Sequence, residues 1–144
     1  MTAMLPADFA ATMEKIQRYN IIDESPEQIR ARLDLAVKGV AAVHLGTMDM
    51  GVKDWSERLI KQFVTGVHKE ICDSEKGCLN DKYAKLMDSA LTPDGVQSVA
   101  TVVVGILTKI NPAFAVSSIA IYIALWVLKI GLNRWCAMPQ NTAA

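Results

Sequence analysis

Over residues 1–90 apolar and polar positions interleave with helical spacing, and beyond them the polar positions become scarce. Leu5, Phe9, Met13 and Ile16 fall on one face of a helix over about 6–19, with Asp8, Glu14, Lys15 and Arg18 elsewhere on its circumference. The stretch NIIDES interrupts that period. Ser25-Pro26-Glu27-Gln28 then reads as a helix start: Ser25 caps, Gln28 reaches back, and Pro26 presets the first turn. Ile29, Leu33, Val37 and Val40 give the second helix its apolar stripe as far as about Leu45, where Gly46 ends it. Trp55, Leu59, Phe63, Val67 and Ile71 step by four through a third helix, about 51–72. After the loop CDSEKG, the positions of Leu79, Tyr83, Leu86 and Ala90 predict a fourth amphipathic helix that stops before Thr92-Pro93.

From Val96 to Trp135 the pattern is different. No residue from Pro112 to Leu128 is charged, and Lys109 is the only charge between Val96 and Pro112. A β reading has some support, because Val102–Val104 is β-branched and Ile119, Ile121 and Ile123 alternate with Ala120 and Tyr122. It fails on length and on the absence of a turn signal inside the second run. Thr92-Pro93 and Asn111-Pro112 are also good helix starts, each a capping side chain followed by proline at the first helical position. The prediction is an all-α bundle of about six helices, four amphipathic ones followed by an apolar helical hairpin over about 96–135. It forms one domain over 1–144: amphipathic helices in 1–91, the hairpin in 92–136, and a frayed tail from 137 to 144.

Length bears on what buries the hairpin. Val96 to Ile110 makes about 22 Å of helix and Pro112 to Trp135 about 36 Å, against a hydrocarbon core of about 30 Å. The window Ala113–Gly131 has a mean hydropathy of roughly 1.9, in the transmembrane range. Trp126, Lys129, Arg134 and Trp135 cluster where an aromatic belt and snorkelling cations would sit. Ala113, Ser117, Ala120 and Ala124 recur at helical spacing as a face that a neighbouring backbone can approach closely, with Val102, Val103, Val104 and Gly105 as material to pack on it. The second segment is therefore expected to be long enough to span a bilayer, and the first too short.

The charge balance narrows the partners. With 15 basic and 15 acidic residues the net charge is zero, so no nucleic-acid surface is expected. Membrane lipid or a protein partner is the expected contact, with self-association. The first twenty residues have no basic stretch, and Asp8 and Glu14 interrupt any apolar one, so no signal peptide is expected and the location is cytoplasmic, with or without membrane association. Reduced thiols follow from that location, although Cys72 and Cys78 bracket a short loop that a disulfide would close.

Candidate chemistry is sparse. His68 and Cys72 stand four apart and Cys78 comes after the loop, but a fourth metal ligand would have to be His44 or a carboxylate, and no CxxC or HExxH spacing is present. His68 at the border of the helix stripe and Cys72 filling a core gap is the better reading. With no GxSxG, glycine-rich phosphate loop or close carboxylate pair, neither enzymatic activity nor a metal or other cofactor is expected. Lys129, inside the apolar run, has to reach the surface or an acidic partner in a soluble fold, and marks the interface in a membrane.

Four one-sided helices around an apolar pair resemble, in architecture alone, soluble bundles that shield a hydrophobic hairpin, such as channel-forming colicin domains. That resemblance carries no motif and implies no functional residue here. It frames two expectations. The first, favoured by the length of the second apolar segment, is a membrane-inserting or anchoring protein of the pore-forming or permeabilising type. The second is a soluble interaction, adaptor or regulatory module with the hairpin as plain core and Trp126 or Trp135 left over as contact surface.

Overall fold

The computed structural model describes residues 9–45, 51–73, 77–88 and 91–138. It is an all-α bundle of about six helices. Among the described residues these are α1 (Phe9–Arg18), α2 (Pro26–Leu45), α3 (Gly51–Ile71), α4 (Pro93–Ile110), α5 (Ser117–Ile130) and α6 (Leu132–Ala137). Two short strands, β1 (Cys72–Asp73) and β2 (Cys78–Leu79), pair antiparallel after α3. Leu5, Ala90 and the tail from 139 lie outside the described residues, and of Phe9 and Trp55 only the helical backbone is described.

Capping chemistry sets the helix starts. The Ser25 backbone N–H donates to Gln28 Oε1 at 2.8 Å, and the Gln28 N–H donates back to Ser25 Oγ at 3.2 Å, which closes a reciprocal capping box at the head of α2. Thr92 Oγ1 accepts from the Gly95 N–H at 3.1 Å at the head of α4. The stripes bury as their spacing requires: Met13, Ile16, Ile29, Leu33, Val37, Leu59, Phe63, Val67 and Ile71 are all in the core.

α5 is the axis of the bundle. It packs most heavily against α4 and α2, and then against α1 and α6. Every residue from Ile119 to Val127 is buried. A helix with no polar face has to be covered on all sides, and the one-sided stripes of the surrounding helices provide that cover. At its N-terminal end, Phe114 is buried against Phe63 of α3, ring centroids 5.2 Å apart.

Three features differ from the sequence pattern. The apolar run after Asn111 is not one helix of twenty-four residues. Asn111 Oδ1 accepts from the Ala113 N–H at 3.3 Å and starts only a 3-10 turn over Pro112–Phe114. Ala115 and Val116 are then non-helical, and α5 begins at Ser117 and stops at Gly131, whose φ of 100° no other residue type adopts easily. The resulting α5 has 14 residues, about 21 Å, which is too short for a hydrocarbon core. Among the described residues no helix is long and apolar enough to cross a membrane. The expected fourth amphipathic helix is likewise a 3-10 segment, Asp81–Asp88, kinked at Tyr83. Its would-be first turn is taken up by β2. Asn80 caps the 3-10 segment, accepting from the Lys82 N–H through its side chain and from the Tyr83 N–H through its carbonyl. Finally, Gly105 is exposed, with open space where a side chain would be, and so does not offer the hairpin contact expected of it.

Arg32 of α2 ties the turn before that helix to its flank. Its Nε and Nη2 donate to the two carboxylate oxygens of Glu24 at 2.6 and 2.7 Å. That hydrogen bonding holds the Glu24 carboxyl below its ordinary 4.5, against the opposing effect of its partial burial, and the charge of Arg32 works in the same direction. A depressed carboxylate stabilises the fold above the unfolded pKa and loses that contribution as pH falls through the folded one. Glu24→Gln is expected to cost about 1 kcal/mol at neutral pH, with the deficit relative to the native chain shrinking progressively as pH falls below the ordinary 4.5 in urea titrations; a deficit constant through the acid range would contradict this assignment. Gly131→Ala forces an L-residue into the same backbone geometry and is expected to lower stability by about 1–3 kcal/mol on the same assay.

Candidate functional site

The end of α5 is where the chain gathers charge next to its apolar core. Trp126, Lys129 and Ile130 come from the last turns of α5. Gly131 then redirects the backbone so that α6 brings Arg134, with Met138 just beyond it. The first turns of α2 lie alongside and add Pro26, Glu27 and Arg30. These residues line an open groove of about 480 Å³. The Arg30 guanidinium lies over the Trp126 ring, 5.9 Å from its centroid, within cation–π range. Burial pushes the Arg30 guanidinium pKa down, and the carboxylates of Asp34 and Glu57 oppose that shift. Lys129 is half-buried and Arg134 exposed, and neither forms an ion pair among the described residues.

Beneath the groove is a compact aromatic and sulfur layer. Trp135 is fully buried, edge-on to Trp126 at 6.5 Å and to His68 at 4.7 Å between ring centroids. His68 Nε2–H donates to the Trp135 carbonyl at 3.0 Å, an acceptor that fixes the proton on that nitrogen. One turn later Cys72 is joined to Cys136 of α6 in a disulfide that spans 64 residues. Cys78 is a free, half-buried thiol on β2, the strand that α6 lies against. The expectation of three reduced thiols is corrected here, and so is the alternative pairing of Cys72 with Cys78. α6 folds back onto the end of α3, bringing into bonding range two cysteines that local spacing had not paired.

The same geometry places the candidate residues as follows. Among the described residues no group of three or more His, Cys, Asp or Glu side chains could hold a metal. Cys72 has no thiolate to offer while it is oxidised, and His68 sits in the core with Nε2 committed to a carbonyl.

Of the residues singled out from sequence, the structure brings Trp126, Lys129 and Arg134 to one groove and puts Trp135 under its floor. Trp135 is core and has no exposed surface with which to form a membrane belt or a contact patch. Val103 and Val104 are buried and Val102 half-buried, as hairpin packing requires. Ser117, Ala120 and Ala124 are buried in α5, with Ser117 Oγ 3.4 Å from Thr12 Oγ1 of α1, while Ala113 lies before the helix in the 3-10 turn. Arg30 was not visible as a site residue. Its spacing put it on the outer face of α2, four residues from Asp34, and that does not say which end of α5 it meets.

No protein-family model, curated protein or solved structure matches this chain.

The disulfide makes a direct prediction. Closing a loop of this length removes denatured-state entropy worth about 4 kcal/mol in the chain-entropy model, and reduction is expected to cost about 2–4 kcal/mol in urea unfolding. Cys78→Ser should leave the oxidised protein's stability within about 0.5 kcal/mol, and a non-reducing peptide map should recover Cys72 linked to Cys136. A Cys72–Cys78 peptide instead would refute the pairing.

Proposed function

We propose that this chain is a non-enzymatic helical-bundle module that acts by binding, with its apolar hairpin serving as structural core. The observation that carries this reading is the enclosure of α5, buried without interruption from Ile119 to Val127 by helices whose own stripes point inward. The break of the apolar run into pieces shorter than a bilayer supports it, as does the attachment of α6 to the end of α3. Leu35 and Val43, exposed on α2, offer apolar contact to a protein partner, and the groove beside Trp126 adds a separate pocket of mixed basic and apolar lining.

The membrane-acting reading keeps one specific support: the uncharged stretch Pro112–Leu128 survives inside the bundle, and Lys109 stands exposed at the hairpin turn near the basic groove formed by Arg58, Lys61 and Lys69 of α3 with Ile110. In that reading the bundle opens and releases the hairpin to lipid.

One pair of measurements separates the two. For the purified oxidised chain without detergent, a binding module is expected to unfold in a single cooperative urea transition and to stay at the bottom of a flotation gradient with phosphatidylglycerol vesicles. Flotation with dye leakage would instead support membrane action. Ala120→Arg buries a charge on the axis of the bundle and is expected to abolish the cooperative transition.

A further inference from the structure

The groove between α2, α5 and α6 gathers three cations against an aromatic and aliphatic wall in a chain that is neutral overall, whereas the equally basic groove on α3 has Ile110 as its one large apolar side chain among the described residues. Three cations, Arg30, Lys129 and Arg134, face it, with Glu27 the only carboxylate in its lining among the described residues. Its remaining wall is apolar: Trp126, Ile130 and Met138. Two of the cations have no carboxylate partner among the described residues, and the third has its planar guanidinium over an indole. The groove's volume, about 480 Å³, lies in the range of small-molecule sites and is far below what a folded partner would fill.

We infer that this groove is a binding site for a small amphipathic organic anion, a carboxylate, sulfonate or phosphate head on an aromatic or alkyl body. The head lies between Lys129 and Arg134, where charge-assisted hydrogen bonds are open to it because neither donor is paired with a carboxylate among the described residues. The body lies on Trp126, Ile130 and Met138, within reach of the Arg30 guanidinium, which the stacked indole holds in place. Gly131 is what makes the site possible, because the turn it allows brings Arg134 around to the groove that Lys129 lines from the preceding helix. The inference deepens the reading of the chain as a binding module and rests on it.

The test is a titration of the full oxidised chain with anilinonaphthalene sulfonate, run in parallel with the uncharged N-phenylnaphthylamine and with decanoate as competitor. Saturable one-to-one binding of the sulfonate is expected, displaced by decanoate, at least tenfold tighter than that of the uncharged dye, and weakened by added salt. Lys129→Gln combined with Arg134→Gln is expected to weaken it by about tenfold or more, whereas Lys61→Gln combined with Lys69→Gln, in the separate groove on α3, leaves it unchanged. Both pairs lie outside the core, and an unchanged urea midpoint confirms that each variant is folded. Equal affinity for charged and uncharged dyes, or equal losses in the two double variants, overturns the inference. So does binding to phosphatidylglycerol vesicles without binding of decanoate, which assigns these cations to a membrane surface. A cooperative transition without anion binding defeats this inference alone; the absence of any cooperative transition defeats the module reading as well.

Discussion

The constraint behind this structure is that α5 has no polar side to turn outward. An amphipathic helix satisfies water and core at once, but a helix apolar around its whole circumference leaves unfavourable surface exposed until every flank is covered. α4 and α2 cover most of it and α1 and α6 the remainder. The single apolar stripes of the outer helices are the complementary half of this arrangement, since each would be unstable without something to lie on. The length of α5 has the same origin. A bundle of this size can enclose a rod of about 21 Å, and the non-helical residues at Ala115–Val116 and the turn at Gly131 stop the helix at the limits of its cover.

Much of this was legible from residue spacing and cap chemistry. Ser25 with Gln28, and Thr92 before Pro93, are local signals that depend on side chains within three positions of each other, so they survive in any tertiary context. The stripes of α2 and α3 likewise report a face directly. What could not be read is where an apolar run stops being helix. Pro112 sets up the first turn of an α-helix or a 3-10 turn equally well, and the residues of AFAVSS carry no breaker, so the interruption there comes from Phe114 packing into the core against Phe63. Gly131 was a visible terminator, but the apolar residues on either side of it hid its role. The segment after Leu79 had the right period and the wrong helix type, because pairing of β2 with β1 consumed its first turn.

The candidate site shows the same division. Trp126, Lys129 and Arg134 stood out as an aromatic and basic cluster, and they do converge, on a groove between helices. Trp135 looked equivalent to Trp126 in sequence but is buried in full, because the turn at Gly131 separates the two helices and α6 packs that indole onto His68. Arg30 and the Cys72–Cys136 bond share a reason for having been invisible. Both depend on which helix end meets which, a property of the packed bundle that no local spacing encodes.

The disulfide also divides the chain mechanically. Everything between Cys72 and Cys136, including α4, α5 and most of α6, lies inside one covalent loop. If the two ends of the protein are pulled apart, the tension passes through the bridge from the end of α3 straight to the C-terminal tail, and the looped segment bears none of it. A stretch of 64 residues, about 220 Å of contour length at full extension, is thereby withheld from elongation until the sulfur–sulfur bond is cut. The oxidised chain yields only its first helices to force, while the reduced chain can be drawn out as a single thread.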